Sequence, residues 1–155
     1  MAKVVQRKKT AEPVDHPRAI GLGPLESYIG YALRQAQIAV FAEFIRTFET
    51  LDLRPAQFSV LLVINRNPGL NQSEVAASLG IQRANFVAFI NRLQKRKLVE
   101  RRRLDRRSYA LHLTREGEAL LARALALQDE LEARNHARLG ADGKARLMQL
   151  LQRLY

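Results

Sequence analysis

Ten Lys and Arg residues fall between Gln82 and Arg107, with only Glu100 and Asp105 against them. That window carries net +8 of the chain's +11. The charge is therefore localised, and it sits where the pattern reads as a helix followed by a short hairpin. Arg83 and Arg92 lie on the helix, and the hairpin holds the run Arg101, Arg102, Arg103, Leu104, Asp105, Arg106, Arg107. Lys and Arg neutralise phosphates and release condensed counterions, so such a surface points to nucleic acid. A solvated basic face is the alternative, and it is the commoner reading for shorter runs.

The residues before the hairpin fit a paired-helix arrangement. Asn67-Pro68-Gly69 is a turn, and Asn71 with Glu74 three residues on forms a capping-box variant. A short helix, Gln72 to Leu79, turns Val75, Ala76 and Leu79 inward and ends at Gly80. A second helix runs from about Gln82 to Arg96. Two short helices joined through a Gly turn, the second basic, make a helix-turn-helix. At 100° per residue, Phe86, Phe89, Ile90 and Leu93 share the face expected in the core. The opposite face carries Ala84, Val87, Ala88, Asn91 and Lys95, flanked by Arg83, Asn85 and Arg92. Small residues there let the backbone approach base edges. Val87 or Ala88 can meet a thymine methyl, and Asn85 or Asn91 can bond an adenine. Leu98 to Arg101 and Ser108 to Leu113 read as two strands, with Tyr109, Leu111 and Leu113 alternating at period two. The tip Arg102 to Arg107 makes this a β-wing.

Helices flank the winged unit. Pro24 to about Leu51 reads as one long helix with a wide apolar stripe, and Pro55 starts another to about Arg66, with Phe58, Leu61, Leu62 and Ile64 buried. Thr114 caps a helix over about Arg115 to Arg138, and Asp142 caps a last one bearing Leu147, Leu150, Leu151 and Leu154. These terminal helices have more apolar face than a small winged domain can cover, and a second copy related by two-fold symmetry would bury it. Residues 1–23 read as a flexible basic arm, and 24–155 as a single domain: 24–51 and 115–155 for dimerisation, 55–113 the winged helix-turn-helix.

Several classes are set aside by composition. The chain has no cysteine, which removes disulfides, thiolate catalysis and thiol redox sensing. His16, His112 and His136 are scattered, so no metal site and no cofactor is expected. No apolar stretch is long enough to span a membrane, and Met1 to Arg18 lacks a signal-peptide apolar region, so a cytoplasmic location is expected. No Gly-rich phosphate loop or Ser/His/Asp arrangement appears, so an enzyme is not expected. Glu43 and Glu49, or Glu116 and Glu118, read as surface charge and dipole partners.

With helix, helix, recognition helix, wing and long helix in place, the chain resembles the MarR family of ligand-responsive transcription factors. The residues that carry the resemblance are Leu53 to Phe58, Asn71 to Ala76, Arg92 to Val99, and Asp105-Arg106-Arg107 ending in Leu113-Thr114-Arg115-Glu116-Gly117. The resemblance covers about residues 25–155. It implies a homodimeric winged helix-turn-helix repressor, mainly α with a small β-wing, that binds a palindromic operator in double-stranded DNA. Residue pattern and resemblance together give as expected DNA contacts Gln72, Ser73, Arg83, Asn85, Val87, Ala88, Asn91, Arg92, Arg103, Asp105, Arg106 and Arg107. Asp105 would pair with Arg107 and aim its guanidinium into the minor groove. Many relatives carry Gly where this chain has Lys97, and a lysine disfavours a left-handed cap, so a differently built turn is expected there.

The resemblance also implies a small organic effector, for which Tyr28, Tyr31, Arg34, Phe41 and Phe58 are candidate wall residues; aromatics at helical spacing are alternatively plain core. Tyr28 to Arg34 together with Asp105 to Leu111 look like a subgroup governing aromatic-acid catabolism. That subgroup points to an aromatic acid or an aromatic acyl-CoA thioester such as p-coumaroyl-CoA. The alternative is a constitutive architectural DNA binder without an effector.

Overall fold

One strand of the small sheet is bonded on both edges. In the computed structural model, which describes residues 20–103 and 108–155, β1 (Val99–Arg103) pairs antiparallel with β2 (Tyr109–Leu113). The register runs from Val99 opposite Leu113 to Arg103 opposite Tyr109. On the other edge of β2, the Leu111 N–H donates to the Leu70 carbonyl at 2.8 Å, and Ala110 bridges Asn71. The burial along β2 departs from the expected period of two. Ala110 and Leu111 are both buried, whereas Tyr109, expected inward, is exposed. A strand covered on two faces reads as a continuous apolar run.

The helices are α1 (Ile29–Thr47), α2 (Pro55–Arg66), α3 (Gln72–Ser78), α4 (Arg83–Lys95), α5 (Arg115–Leu139) and α6 (Gly143–Leu151). Contacts divide the chain into two units, Met1–Gln35 and Ala36–Tyr155. The single first helix expected over Pro24 to Leu51 is in fact three pieces. In the first unit a 3-10 turn, Gly23–Ser27, closes on itself: the Ser27 hydroxyl donates to the Pro24 carbonyl at 2.8 Å, and Tyr28 is extended at φ −85, ψ 129. The α-helix starts only after that. In the second unit a 3-10 turn, Glu49–Leu51, follows α1 and ends at Asp52 in the left-handed region, φ 46.

The core of the second unit begins with three rings. Phe44 and Phe48 stack at 3.7 Å, and Phe58 meets Phe48 edge-on at 5.7 Å. Around them α2 buries Val60, Leu61 and Ile64, α3 buries Val75 and Ala76, and α5 contributes Leu121, Ala124 and Leu131. Val60 was not expected inside, and Leu62 is only half-buried. A capping contact starts α2, where the Gln57 side chain accepts from the Arg54 N–H at 2.9 Å.

The wing hands over to α5 through a tight junction. The Thr114 N–H donates to the Leu98 carbonyl, and its hydroxyl donates to the Lys97 carbonyl while accepting from the Gly117 N–H at 3.0 Å. A Cβ on Gly117 would stand 2.0 Å from the Leu98 oxygen, so this close approach requires glycine. At the far end of α5, Gly140 turns at φ 78. Asp142 occupies the cap position of α6, but its side chain makes no capping bond, contrary to expectation. Its backbone is already helical, which turns the carboxylate away from the first-turn N–H groups. Among the described residues no helix is long and apolar enough to cross a membrane.

Candidate nucleic-acid interface

The start of α3 is tied down by local chemistry. Asn71 Oδ1 accepts from the Ser73 and Glu74 N–H groups at 2.8 and 3.1 Å, and Glu74 accepts from the Asn71 N–H at 2.7 Å. The capping box read from the sequence is therefore complete. It leaves Ser73 its hydroxyl and Gln72 its amide as the groups to offer a phosphate, and both residues are half-buried.

The turn into α4 is a Schellman cap. The Ile81 N–H reaches back to the Ala76 carbonyl at 2.9 Å, the Gly80 N–H to Ala77 at 3.2 Å, and Gly80 takes φ 62. This orients α4 with Phe86, Ile90 and Leu93 buried. Arg83, Ala84, Asn85, Val87, Ala88, Asn91, Arg92 and Lys95 are all exposed, so the wheel drawn from sequence sorts the helix correctly. Phe89 is the boundary residue. It is half-buried, stacks on Phe86 with centroids 6.2 Å apart, and lies 6.0 Å beneath the Arg92 guanidinium.

The far end of α4 repeats the same cap with a different residue. The Leu98 N–H bonds the Leu93 carbonyl at 3.0 Å and the Lys97 N–H bonds Gln94 at 2.8 Å. Lys97 itself takes φ 56. The expectation of a differently built turn is overturned: lysine occupies the left-handed position, held by the Thr114 hydroxyl on its carbonyl.

The ten basic residues divide by what they touch. Arg96 turns inward and donates to the Asp52 and Leu51 carbonyls at 2.7 and 3.2 Å, closing the turn before α2. Arg101 donates to Asn91 and, more weakly, to Gln72, at 2.8 and 3.4 Å. Arg102 pairs with Glu100 at 2.6 Å on the exposed side of β1. Arg103 ends β1 and is exposed. Asp105, Arg106 and Arg107 lie outside the described residues. Charge density alone reads the whole run as a phosphate surface; the inward roles of Arg96 and Arg101 depend on partners 10 to 45 residues away, and no local signal announces them.

The proposed effector contacts fall on both units. In the first, Tyr28 and Arg34 are exposed and Tyr31 is half-buried. In the second, Phe41 is exposed, while Phe58 sits in the aromatic cluster of the core. A groove of about 190 Å³ near the end of α1 is lined by Ile45, Arg46, Phe48, Glu49, Asp52, Leu53 and Arg54. Another, of about 150 Å³, lies between α2 and the wing, with Arg102, His112 and Glu118 in its wall. Neither contains a residue expected to touch an effector.

Glu43 is not the surface charge that its sequence context suggested. It is buried, accepts from Arg134 at 3.1 Å, and also pairs with Arg138; Arg134 donates further to the Thr47 hydroxyl at 2.8 Å. The Arg138 hydrogen bond holds its carboxyl below the ordinary value; burial opposes that, and the Arg134 bond and both positive charges reinforce it. α1 and α5 are joined here by a charged clamp.

Comparison with known proteins gives this geometry its context. The MarR family profile matches residues 51–108, from the turn before α2 to the start of β2. A transcriptional regulatory protein assigned to the hcr operon of Thauera aromatica is 36% identical over 156 residues, covering 96% of this chain and 92% of that protein. The repressor CouR, solved on a 23-mer DNA duplex, is 44% identical with a TM-score of 0.83, over 88% of this chain and 98% of that one. CouR bound to p-coumaroyl-CoA is 42% identical, with a TM-score of 0.83, over 88% and 97%. The paired helices, their Schellman turn and the wing are thus those of a winged helix-turn-helix regulator, and the chain belongs to the MarR family.

Proposed function

We propose that this protein is a cytoplasmic transcriptional repressor, not an enzyme, that leaves a palindromic operator when an aromatic acyl-CoA thioester binds. The observation that carries the reading is the likeness to CouR, which has been solved both on DNA and with p-coumaroyl-CoA, across nearly nine-tenths of this chain. The exposed face of α4 supports it: Arg83, Asn85, Val87, Ala88 and Arg92 stand clear of the core. That face would enter the major groove, with Gln72, Ser73 and Arg103 on flanking phosphates. Asp105, Arg106 and Arg107 would carry the wing into the minor groove. Two copies, related by a two-fold axis, would present two such helices about 34–36 Å apart. The exposed apolar residues of the terminal helices would form the contact between copies. Tyr28, Tyr31 and Arg34 on one unit, and Phe41 and Phe58 on the other, are proposed as effector contacts.

The test is a titration of protein on a fluorescent duplex that it has itself selected from a random pool. p-Coumaroyl-CoA should release the duplex and raise the melting temperature, following RT ln(1 + [L]/Kd). Free p-coumarate and CoA alone should do neither. Tight binding to a selected site that no thioester relieves would point to a different effector. Equal binding to every duplex would favour a constitutive architectural protein.

A further inference from the structure

We propose that Arg101 is a positioning residue that fixes how α4 reads a base, by locking the side-chain amide of Asn91 and tying α4 to the wing and to the start of α3. The proposal rests on the DNA-binding reading above. Arg101 lies on β1 opposite Leu111. One of its terminal nitrogens, Nη2, donates to Asn91 Oδ1 on α4 at 2.8 Å and reaches Gln72 Oε1 on α3 at 3.4 Å. Its two hydrogens suffice for both bonds. Three elements that face DNA in the proposed complex are thereby held through one guanidinium.

Two features argue that the arginine is there for more than stability. Its Nε is buried and has no hydrogen-bond partner among the described residues, a state that costs free energy in any fold. An apolar side chain of similar size would avoid that cost. The neighbouring arginines show different arrangements: Arg102 pairs with the adjacent Glu100 at the surface, and Arg96 satisfies carbonyls of the preceding turn. Arg101 instead bonds two amides of exposed or half-exposed residues on the DNA side.

The consequence is chemical. An asparagine reads adenine through both ends of its amide, accepting from N6 and donating to N7. With Oδ1 held by Arg101, Asn91 presents its Nδ2 donors. Oδ1 keeps a second lone pair, but the guanidinium fixes its direction, so the amide favours an acceptor edge, such as guanine O6 and N7 or thymine O4, over adenine. Removing the guanidinium frees the amide to flip, and adenine becomes acceptable at that position.

The experiment compares wild type with Arg101→Met, Asn91→Ala and the double variant, on a duplex that the wild type selects from a random pool. Binding is measured against salt, and the selection is repeated with Arg101→Met. Arg101→Met should weaken binding about tenfold, in line with coupling inside one hydrogen-bonded network. The slope of log K against log salt should not change, the double variant should bind no worse than Arg101→Met, and the repeat selection should admit adenine where the wild type excludes it. A slope smaller by about one unit would make Arg101 a direct phosphate contact and overturn the proposal. So would additive losses, or an unaltered base preference. Arg101→Lys, which keeps the charge on a shorter reach, serves if Arg101→Met melts early, and it too should relax base preference. A wild type that binds every duplex equally would overturn the operator-specific reading on which the proposal rests. A selective wild type matched by its variants would overturn only the role of Arg101.

Discussion

The winged lobe and the terminal helices handle apolar side chains in opposite ways. Between α2 and β2, Leu61, Ile64, Val75, Phe86, Ile90, Leu93 and Leu111 are all essentially sealed from solvent. In α6 nothing is buried: Leu147, Met148 and Leu150 are 41 to 50% exposed, and Leu154 and Tyr155 beyond it are more so. α5 combines both conditions, with Leu121 and Leu131 inside and Leu125 and Leu139 exposed. Each fully buried Leu contributes roughly 1.5–3 kcal/mol, and the lobe realises that term within itself. The terminal helices retain that term for a partner, and a second copy is the partner proposed here. In α6 the exposed apolar side chains follow one another along a single helix, Leu147, Met148 and Leu150, which is why that helix reads as an interface and not as scattered surface Leu.

The strongest way to break the comparison is to charge the open end. Leu147→Glu with Leu150→Glu should leave the lobe folded, with near-native circular dichroism, but convert a dimer to a monomer in analytical ultracentrifugation. Operator affinity should fall about 10²–10⁴-fold, the loss expected when two linked half-site contacts become independent. An unchanged sedimentation mass would mean that this face is not the contact between copies. The converse change attacks the closed end. Gly117→Ala places a methyl against the Leu98 carbonyl, and backbone on both sides leaves little room to yield. It should destabilise the lobe by about 3 kcal/mol or more, in the range of severe overpacking, and a denaturant melt would read it directly. Wild-type stability would show that the α5 junction opens more easily than its hydrogen bonds suggest.

What the sequence disclosed divides along a similar line. The Asn71–Glu74 box, the Gly80 turn and the face of α4 were legible because each depends on residues within a few positions of one another. The second edge of β2 was not, since Leu70 and Leu111 are joined only in three dimensions. Arg96 and Arg101 show that a count of charge reports density but not direction: the same side chain clamps a carbonyl or faces a phosphate according to what lies opposite. Glu43 failed for the same reason, its partners Arg134 and Arg138 being 91 and 95 residues away. The break at Tyr28 is hidden because a five-residue 3-10 turn is too short for its period of about 3.0 to be told from the roughly 3.6 of an α-helix.

Glu43 also gives the comparison a pH axis, since its clamp joins α1 to the C-terminal part of α5. Its carboxyl titrates below the ordinary value of 4.5 in the folded chain, chiefly because Arg138 donates to it. A carboxylate depressed in this way favours the folded state at pH above its unfolded value, and the contribution disappears as pH falls through the folded one. Acidification below the ordinary glutamate range should therefore loosen the α1–α5 clamp. Glu43→Gln should remove this component, so its melting temperature should depend less on pH than the wild type's across that acid window. Parallel curves would show that the clamp adds no linkage. The largest change should appear in probes on α5, not in those on α4.

The smallest effect is expected where the lobe's two helix caps differ by one residue. Gly80 and Lys97 hold the same left-handed place in the same pair of bonds, at φ 62 and φ 56. Glycine meets no steric penalty there, whereas a lysine Cβ crowds its own carbonyl and costs on the order of 1 kcal/mol. Lys97→Gly should therefore stabilise the lobe by roughly 0.5–1 kcal/mol, a rise of a few degrees in melting temperature. Gly80→Ala should lose a similar amount, although nothing stands within 4 Å of the added methyl, because its cost is backbone alone. Lys97 is exposed at the base of the wing, so its charge offers a reason to accept the strain. If it meets a phosphate, Lys97→Gly binds the operator less tightly while melting higher, with a salt slope smaller by about one unit. A variant that melts higher and binds as before would show that the lysine carries no contact, leaving the strain uncompensated by DNA.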